Sequence, residues 1–575
     1  MANESLVGRM QGGHILAKAM ALKGITKVFS LCGGFLNPIY DGCLDCGIEI
    51  IGARHEMEAG FMANAWARLH REPAVVIAEP SGFTNYISAV AEAYYSGDPV
   101  IYISSASNSH RLDRWGFKEM PQHEVVQCMT KYSVMVNEGN RIHEFFDKAW
   151  DIAANKPTGP VELSIPINFL FSHYELIAEK EKRYFDLARK VIHSPSLHPD
   201  DSARMVDILK EARKPVIIAG SGIWQSHAEK DLEDFCARLK IPFFTANHLE
   251  IRGNDFTHPY NMGLADIHQN PASRLIHQEA DVVLCIGCRL DYCLDFGEPP
   301  LFNPESTLVA VNPSARELSD NHIANVVILA DSRLFLQDMI QKASGGKINR
   351  SWSEKVKNKR REINKDLLEI AGDGELPIHP LRAAVEVLNF LGEDDYLVVD
   401  GGDAHGWQET ALNLTSMNGR KVRAILMSGP FAQLGVGVSF ATAAKMAAPE
   451  SKVALISGDG SFGLGPGLPM ETAIHRGLPI VAVVFNNQAW GMIRHQQRSI
   501  WNRTCATDLR DVPFHKMVES LGGYGELVER PEDLSSALER AFSCGRPALL
   551  NVRTRDVISQ ITVGLVDRRE KSSLE

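Results

Sequence analysis

The sequence predicts an α/β protein of three doubly wound parallel-sheet domains, and three observations carry that expectation. Short apolar runs such as "AVVIAE", "DVVLCIG" and "KVALIS" are rich in β-branched residues and lack polar alternation. Such runs suit strands buried on both faces. Helical patterns recur between them, as the βαβ units of a parallel sheet require. Charged or turn-rich stretches then divide the chain into three blocks, spanning 1–180, 199–345 and 376–560.

In the first block "GGHILAKAMALKGI" has helical spacing and "KVFSLCG" reads as a strand. "EMEAGFMANAWARLH" is a second helix, "AVVIAE" and "PVIYISS" are strands, and "PVELSIP" closes the block. The stretch "FSHYELIAEKEKRYFDLARKVIHSPSLHPD" is charged and then turn-rich, which suits a linker. The second block restarts with "DSARMVDILKEARKPVIIAGSGI" and continues through "IPFFTA", "DVVLCIGCRL", "STLVAVNP" and "VVILAD". After it, "WSEKVKNKRREINKDLLEIAG" reads as a solvated helix with a basic surface cluster. The third block runs from the helix "HPLRAAVEVLNFL" through the strand "YLVVDGG" to "PALLNVRT", and the tail from about Val557 is too short to form a domain.

Bulk properties narrow the function class. A chain of 575 residues has room for about three to four domains of roughly 150 residues. Its 45% hydrophobic and 23% charged composition is ordinary for a soluble globular protein. The formal charge of -11 argues against nucleic acid or an anionic membrane as the main partner. Cys43/Cys46 and Cys285/Cys288 have CxxC spacing but no matching ligands nearby, and Cys285 sits in an apolar run, as a core residue would. With no signal peptide and no apolar run near ~20 residues, the expected location is the cytoplasm, with reduced thiols.

The stretch "GDGSFGLGPGLPMETAIHRGLPIVAVVFNN" (458–487) carries the most chemistry. A strand ends at the turn Gly458-Asp459-Gly460, "METAIHRG" has helical spacing, and a second strand, "LPIVAVVF", ends at Asn486-Asn487. Strand–helix–strand units bring both strand ends to one edge of a parallel sheet, where ligands bind. Asp459 and Asn487 therefore converge near a helix amino terminus. One carboxylate, one amide oxygen and free backbone N–H groups suit a magnesium ion bridging to a diphosphate.

The stretch resembles the thiamine diphosphate signature, GDG followed some two dozen residues later by NN. Block lengths and order resemble the three-domain thiamine-enzyme group of acetolactate synthases, benzaldehyde lyase and 2-hydroxyacyl-CoA lyases, over nearly the whole chain. The resemblance implies a pyrimidine-binding first domain, a central domain and a diphosphate-binding third domain. It implies thiamine diphosphate and Mg2+ as cofactors, with Asp459, Asn487 and the carbonyl of Ala489 on the metal. Gly458, Gly460, Ser461 and Asn487 are then cofactor-binding residues.

In "RHEMEAGFMANAWAR" (54–68) the family's glutamate after an arginine–histidine pair maps to Glu56. A carboxylate bonded to N1′ of the aminopyrimidine favours the tautomer that can take the C2 proton. Glu58 satisfies a plain helix-start role equally well. In "SGPFAQLGVGVSFATAA" (428–443), Leu434 takes the place of the apolar residue between the two cofactor rings, or is a core leucine. "EPSGFTN" (79–85) resembles the glycine-rich substrate loop, with Ser81 and Phe83 departing from the commoner GPGATN form. "GFKEMPQ" (116–122) resembles a segment reading FQE, so Lys118 replaces a substrate-facing glutamine. It binds a substrate carboxylate or carbonyl, or it points into water. Cys32 and Phe35 are further substrate candidates in the first block.

In "DGGDAHGWQ" (400–408), His405 falls where benzaldehyde lyase has a substrate-facing aromatic. It either shuttles a proton or is a loop histidine bonded to backbone. "NNQAWGMIRHQQ" (486–497) resembles benzaldehyde lyase, with Trp490 and Ile493 walling the pocket. Ala78, where decarboxylases of the group carry histidine, weakens simple decarboxylation. "CRLDYCLDFGEPPLF" replaces the arginine–aspartate-rich flavin region of acetolactate synthases, so FAD is not expected, and resembles the CoA-thioester enzymes instead. The expected activity is a carbon–carbon lyase or carboligase next to a carbonyl. Alternatives are a 2-hydroxyacyl-CoA lyase, an acetolactate synthase, a 2-oxo acid decarboxylase or a catalytically silent homologue. In the family Glu56 faces the diphosphate site of another chain, which implies a homodimer or homotetramer.

Overall fold

A computed structural model describes residues 8–177, 193–246, 255–266, 270–299, 302–320, 323–343, 347–348, 351–468 and 470–572. Half of the proposed linker, 178–192, lies outside them. Before that gap, His173–Leu176 pairs antiparallel with Gly8–Gln11 in a two-stranded sheet.

Three six-stranded parallel sheets, flanked by helices, form the architecture that the apolar runs predict. By contact density the chain divides into two compact units. One comprises Met1–His193 with Gly429–Ala447 and Gly465–Thr472, and the other comprises Ser194–Ser428, Ala448–Leu464 and Ala473–Glu575.

The first unit holds one sheet, in the order Glu49–Gly52, Lys27–Ser30, Ala74–Ala78, Val100–Ala106, Val161–Pro166 and Tyr132–Met135. Three of its strands, Ala74–Ala78, Val100–Ala106 and Val161–Pro166, are buried throughout, with helices such as Glu56–His70 and Pro80–Ser96 flanking the sheet. From Lys27–Ser30 the chain moves first to one side and then to the other. The strand order therefore reverses between Lys27–Ser30 and Ala74–Ala78, and ligands favour the crevice beyond the carboxyl ends at such a point. The residues following those ends are Leu31–Leu36 and Glu79–Asn85.

The second unit holds two sheets. One runs Asn261–Leu264, Phe243–Thr245, Pro215–Ala219, Val282–Ile286, Thr307–Asn312, Val326–Leu329. The other runs Ala424–Met427, Tyr396–Asp400, Val453–Gly458, Val481–Asn486, Ala548–Arg553, Tyr524–Val528. This last order, second-first-third-fourth-sixth-fifth along the chain, is also that of the sheet in the first unit. Its reversal lies between Tyr396–Asp400 and Val453–Gly458, which places Gly401 and Asp459 at the crevice.

Local readings are corrected in two places. The helix Ser351–Ala371 is not solvated all round: Trp352, Val356, Arg360 and Asn364 form a buried stripe at four-residue spacing. Arg360 leaves the basic cluster and donates to the carbonyls of Asn261 and Asn413 at 3.3 and 3.1 Å. The chain after Asp459 is no mere turn but a short helix, Asp459–Leu464, that starts directly at the strand end. The tail contains the helix Gln560–Ser572. No helix among the described residues is long and apolar enough to cross a membrane. All ten cysteines are free thiols.

Candidate functional site

The candidate residues fall into three groups, each built within one unit. In the second unit, Asp459 sits at the end of its strand, 4% exposed. Its Oδ1 accepts from the Gly460 amide at 3.0 Å and its Oδ2 from the Ala489 amide at 3.3 Å. Burial pushes its pKa up to about 6, against the pull of the amides of Gly460, Ala489 and Gln488. A buried carboxylate with an elevated pKa is a carboxylate short of positive charge.

Glycines clear the surrounding space. A Cβ on Gly401, at φ +129, would lie 3.2 Å from the Gly458 nitrogen and 3.3 Å from Ser461 Oγ. A Cβ on Gly460 would meet the Trp490 ring at 2.6 Å, so the indole lies against Gly460. Ile493, one helical turn into Gly491–Trp501, is exposed.

Asn487 is oriented from the tail. Its Nδ2 donates to Asp556 Oδ1 at 3.3 Å, which leaves the amide oxygen for another partner. Burial raises the Asp556 pKa, but His495 Nε2 at 3.1 Å and Arg494 at 2.9 Å outweigh it and hold the carboxyl well below the usual range. Nothing local to residue 556 announces this role in the sequence.

His405 lies in the first turn of the helix Asp403–Met417, not in a loop. Its Nε2 is 2.9 Å from Glu409 Oε1, one turn on, and Glu409 is fully buried. Burial pulls the imidazole pKa down, yet the charge and hydrogen bond of Glu409 prevail and raise it. The four-residue spacing was a usable signal for this partner.

In the first unit Glu56 opens the helix Glu56–His70, capped by His55, whose Nδ1 accepts from the Met57 amide at 3.1 Å. Asn85 Nδ2 donates to Glu56 Oε2 at 2.9 Å. Any Cβ on Gly82 would run into the Glu56 carboxylate. The segment 79–85 is therefore not a loop: it is the first turns of the helix Pro80–Ser96, and it holds Glu56. Asn85 was not among the expected residues. Glu58 is 4% exposed and engaged elsewhere, accepting from the Arg54 amide at 2.9 Å and bonding Thr472.

Two substrate candidates separate here. Ser81 is exposed, whereas Phe83 is fully buried, its ring edge-on to Tyr86 at 5.3 Å. Phe83 belongs to the core because its direction on the helix is inward. Leu434 is half-buried.

The third group surrounds Glu79. Its Oε1 accepts from the Phe35 amide at 2.8 Å and its other oxygen pairs with Lys118 Nζ. Lys118 therefore does not point into water. Its Nζ also lies 5.5 and 5.4 Å from the ring centroids of Phe35 and Phe117. Cys32 is exposed beside this group.

Among the described residues no cluster of three or more His, Cys, Asp or Glu side chains could hold a metal. Asp459 and Asn487 offer donors of another kind at adjoining strand ends, one carboxylate and one amide oxygen, hard donors of the sort magnesium takes with water and phosphate. The glycine-cleared helix start beside them fits a diphosphate.

Comparison with known proteins agrees with this geometry. Residues 10–126, 202–339 and 402–552 match the N-terminal TPP binding domain, the central domain and the C-terminal TPP binding domain of thiamine pyrophosphate enzymes. The chain is 29% identical over 558 residues to a probable acetolactate synthase of Mycobacterium bovis, covering 95% of this chain and 96% of that protein. It is 28% identical over 588 residues to 2-hydroxyacyl-CoA lyase 2 of Danio rerio (94% and 91%), and 26% identical over 565 residues to acetolactate synthase of Bacillus subtilis (96% and 94%). With three matched domains in order along the chain, it belongs to the thiamine pyrophosphate enzyme family.

Proposed function

We propose that the protein is a magnesium- and thiamine diphosphate-dependent enzyme that makes or breaks the carbon–carbon bond next to a carbonyl, in the manner of benzaldehyde lyase. The observation that carries the reading is the buried Asp459 carboxylate at a strand-order reversal, beside an Asn487 whose amide nitrogen is taken by Asp556. Asp459, the Asn487 amide oxygen and the Ala489 carbonyl would hold the metal. Gly458, Gly460 and Ser461 admit the diphosphate. Bound thiamine diphosphate supplies a carbon acid that adds to carbonyls and accepts the electron pair of the broken bond.

The chain's own groups do the rest. Glu56, fixed by Asn85 and cleared by Gly82, holds a proton at the pyrimidine N1′. Leu434 would supply the apolar side chain against the cofactor rings. His405, whose imidazole pKa Glu409 raises against burial, would give a proton to the substrate oxygen. Trp490 and Ile493 wall the pocket and restrict water.

Calorimetry tests the cofactor assignment. Wild-type protein should bind thiamine diphosphate only with magnesium, and Asp459→Ala should lose that binding, because a charged ligand leaves the metal. Unchanged affinity in the variant would remove Asp459 from the site. Donor assays with benzoin, pyruvate and a 2-hydroxyacyl-CoA then separate the activities. The last belongs in the set because three relatives over at least 94% of the chain are named 2-hydroxyacyl-CoA lyases.

A further inference from the structure

The Glu79–Lys118 pair joins the segments that follow three neighbouring strands. Glu79 follows Ala74–Ala78, Phe35 follows Lys27–Ser30, and Lys118 lies in the loop after Val100–Ala106. Gly33 makes room, since a Cβ there would run into the Glu79 side chain. Both charged side chains are largely covered, at 25% and 11% exposure for Lys118 and Glu79. The neighbouring Glu119 is turned away, accepting from the amides of Asp113 and Gly116 at 2.5 and 2.6 Å.

We propose that Glu79 sets donor selectivity by cancelling the Lys118 charge, so that the pocket favours an uncharged hydroxy ketone or aldehyde over a 2-oxo acid. An unpaired lysine between two phenyl rings would attract a carboxylate strongly. Paired, it offers no net charge. A carboxylate donor must break the Lys118–Glu79 bond or approach a fixed negative charge, and a neutral carbonyl pays neither cost. The inference rests on the proposed function for the nature of the donor, and on the strand-order reversal beside Glu79 for the pair's place at a ligand crevice.

Glu79→Gln isolates the charge, because glutamine keeps an oxygen for the Phe35 amide. Holoenzymes of wild type, Glu79→Gln, Lys118→Gln and the double variant are assayed with pyruvate and with benzoin, and titrated calorimetrically with benzoate, an unreactive carboxylate. Glu79→Gln should raise the ratio of kcat/KM for pyruvate over benzoin about tenfold, mainly through KM, and bind benzoate about tenfold more tightly. The double variant should lose both gains. An unchanged ratio and benzoate affinity in Glu79→Gln, or a gain that survives in the double variant, would overturn the inference. If the wild-type holoenzyme turns over neither donor, the lyase reading fails, and the benzoate titration alone still decides whether Glu79 masks Lys118.

Discussion

Glu56 and Glu58 stand on the same helix turn, and their surroundings separate them. Glu58 is buried and spent on the Arg54 amide and Thr472, whereas Glu56 is half-buried, steadied by one amide from Asn85. Glu56→Gln should therefore fold and bind cofactor while hydrogen–deuterium exchange at cofactor C2 slows by at least ~10²–10⁴-fold, the range of a general-base contribution. Wild-type exchange in that variant would return the role to Glu58 or another group. Gly82→Ala should act the same way without touching a carboxylate, since its methyl group displaces the Glu56 side chain.

At the scale of elements, one helix turn and one sheet each hold a buried ionisable group. His405 and Glu409 share the start of Asp403–Met417, and the carboxylate keeps the imidazole pKa raised despite burial. If His405 acts protonated, activity falls as pH rises through that pKa, and Glu409→Gln should move this alkaline limb of kcat to lower pH. A limb at the wild-type pH would show that another group titrates. In the first sheet, Glu162 on Val161–Pro166 is fully buried and accepts from Ser104 and Ser164 at 2.8 and 2.7 Å and from Ser133 at 3.1 Å. Burial, partly offset by these hydroxyls, raises its pKa from 4.5 to about 7. The folded state therefore holds this proton more tightly than the unfolded chain, and that stabilisation, full below pH 4.5, is lost as pH rises towards 7. The difference is on the order of 3 kcal/mol. Denaturant titrations at pH 5 and pH 8 should show a smaller pH difference for Glu162→Gln than for wild type.

At the scale of the whole molecule, two sheets with the same strand order each present a reversal point, one near Glu79 and one beside Asp459. In the family the residues matching Glu56 and Asp459 serve one cofactor from two chains, so we expect the active species to be at least a homodimer. Sedimentation of the active protein should give at least twice the chain mass of 63.6 kDa. Activity confined to a species of single-chain mass would refute the shared site. Dilution should lower activity and thiamine diphosphate binding together.

By itself the sequence determined the three-sheet α/β architecture and that the strands before Asp459 and Asn487 end on one sheet edge. Both follow from short-range patterns: unbroken apolar runs for buried strands, and strand–helix–strand spacing for a shared sheet edge. Tertiary structure decided what those patterns leave open. Arg360 reads as surface charge, yet its place on a four-residue stripe buries it against Asn261 and Asn413. Phe83 reads as pocket lining until the segment becomes a helix that turns the ring inward. Glu79 meets Lys118, and Asp556 meets Asn487, across 39 and 69 residues of chain. Only the ordering of strands brings such partners together, because side-chain partners so far apart in sequence are fixed by which strand ends adjoin and not by any local periodicity.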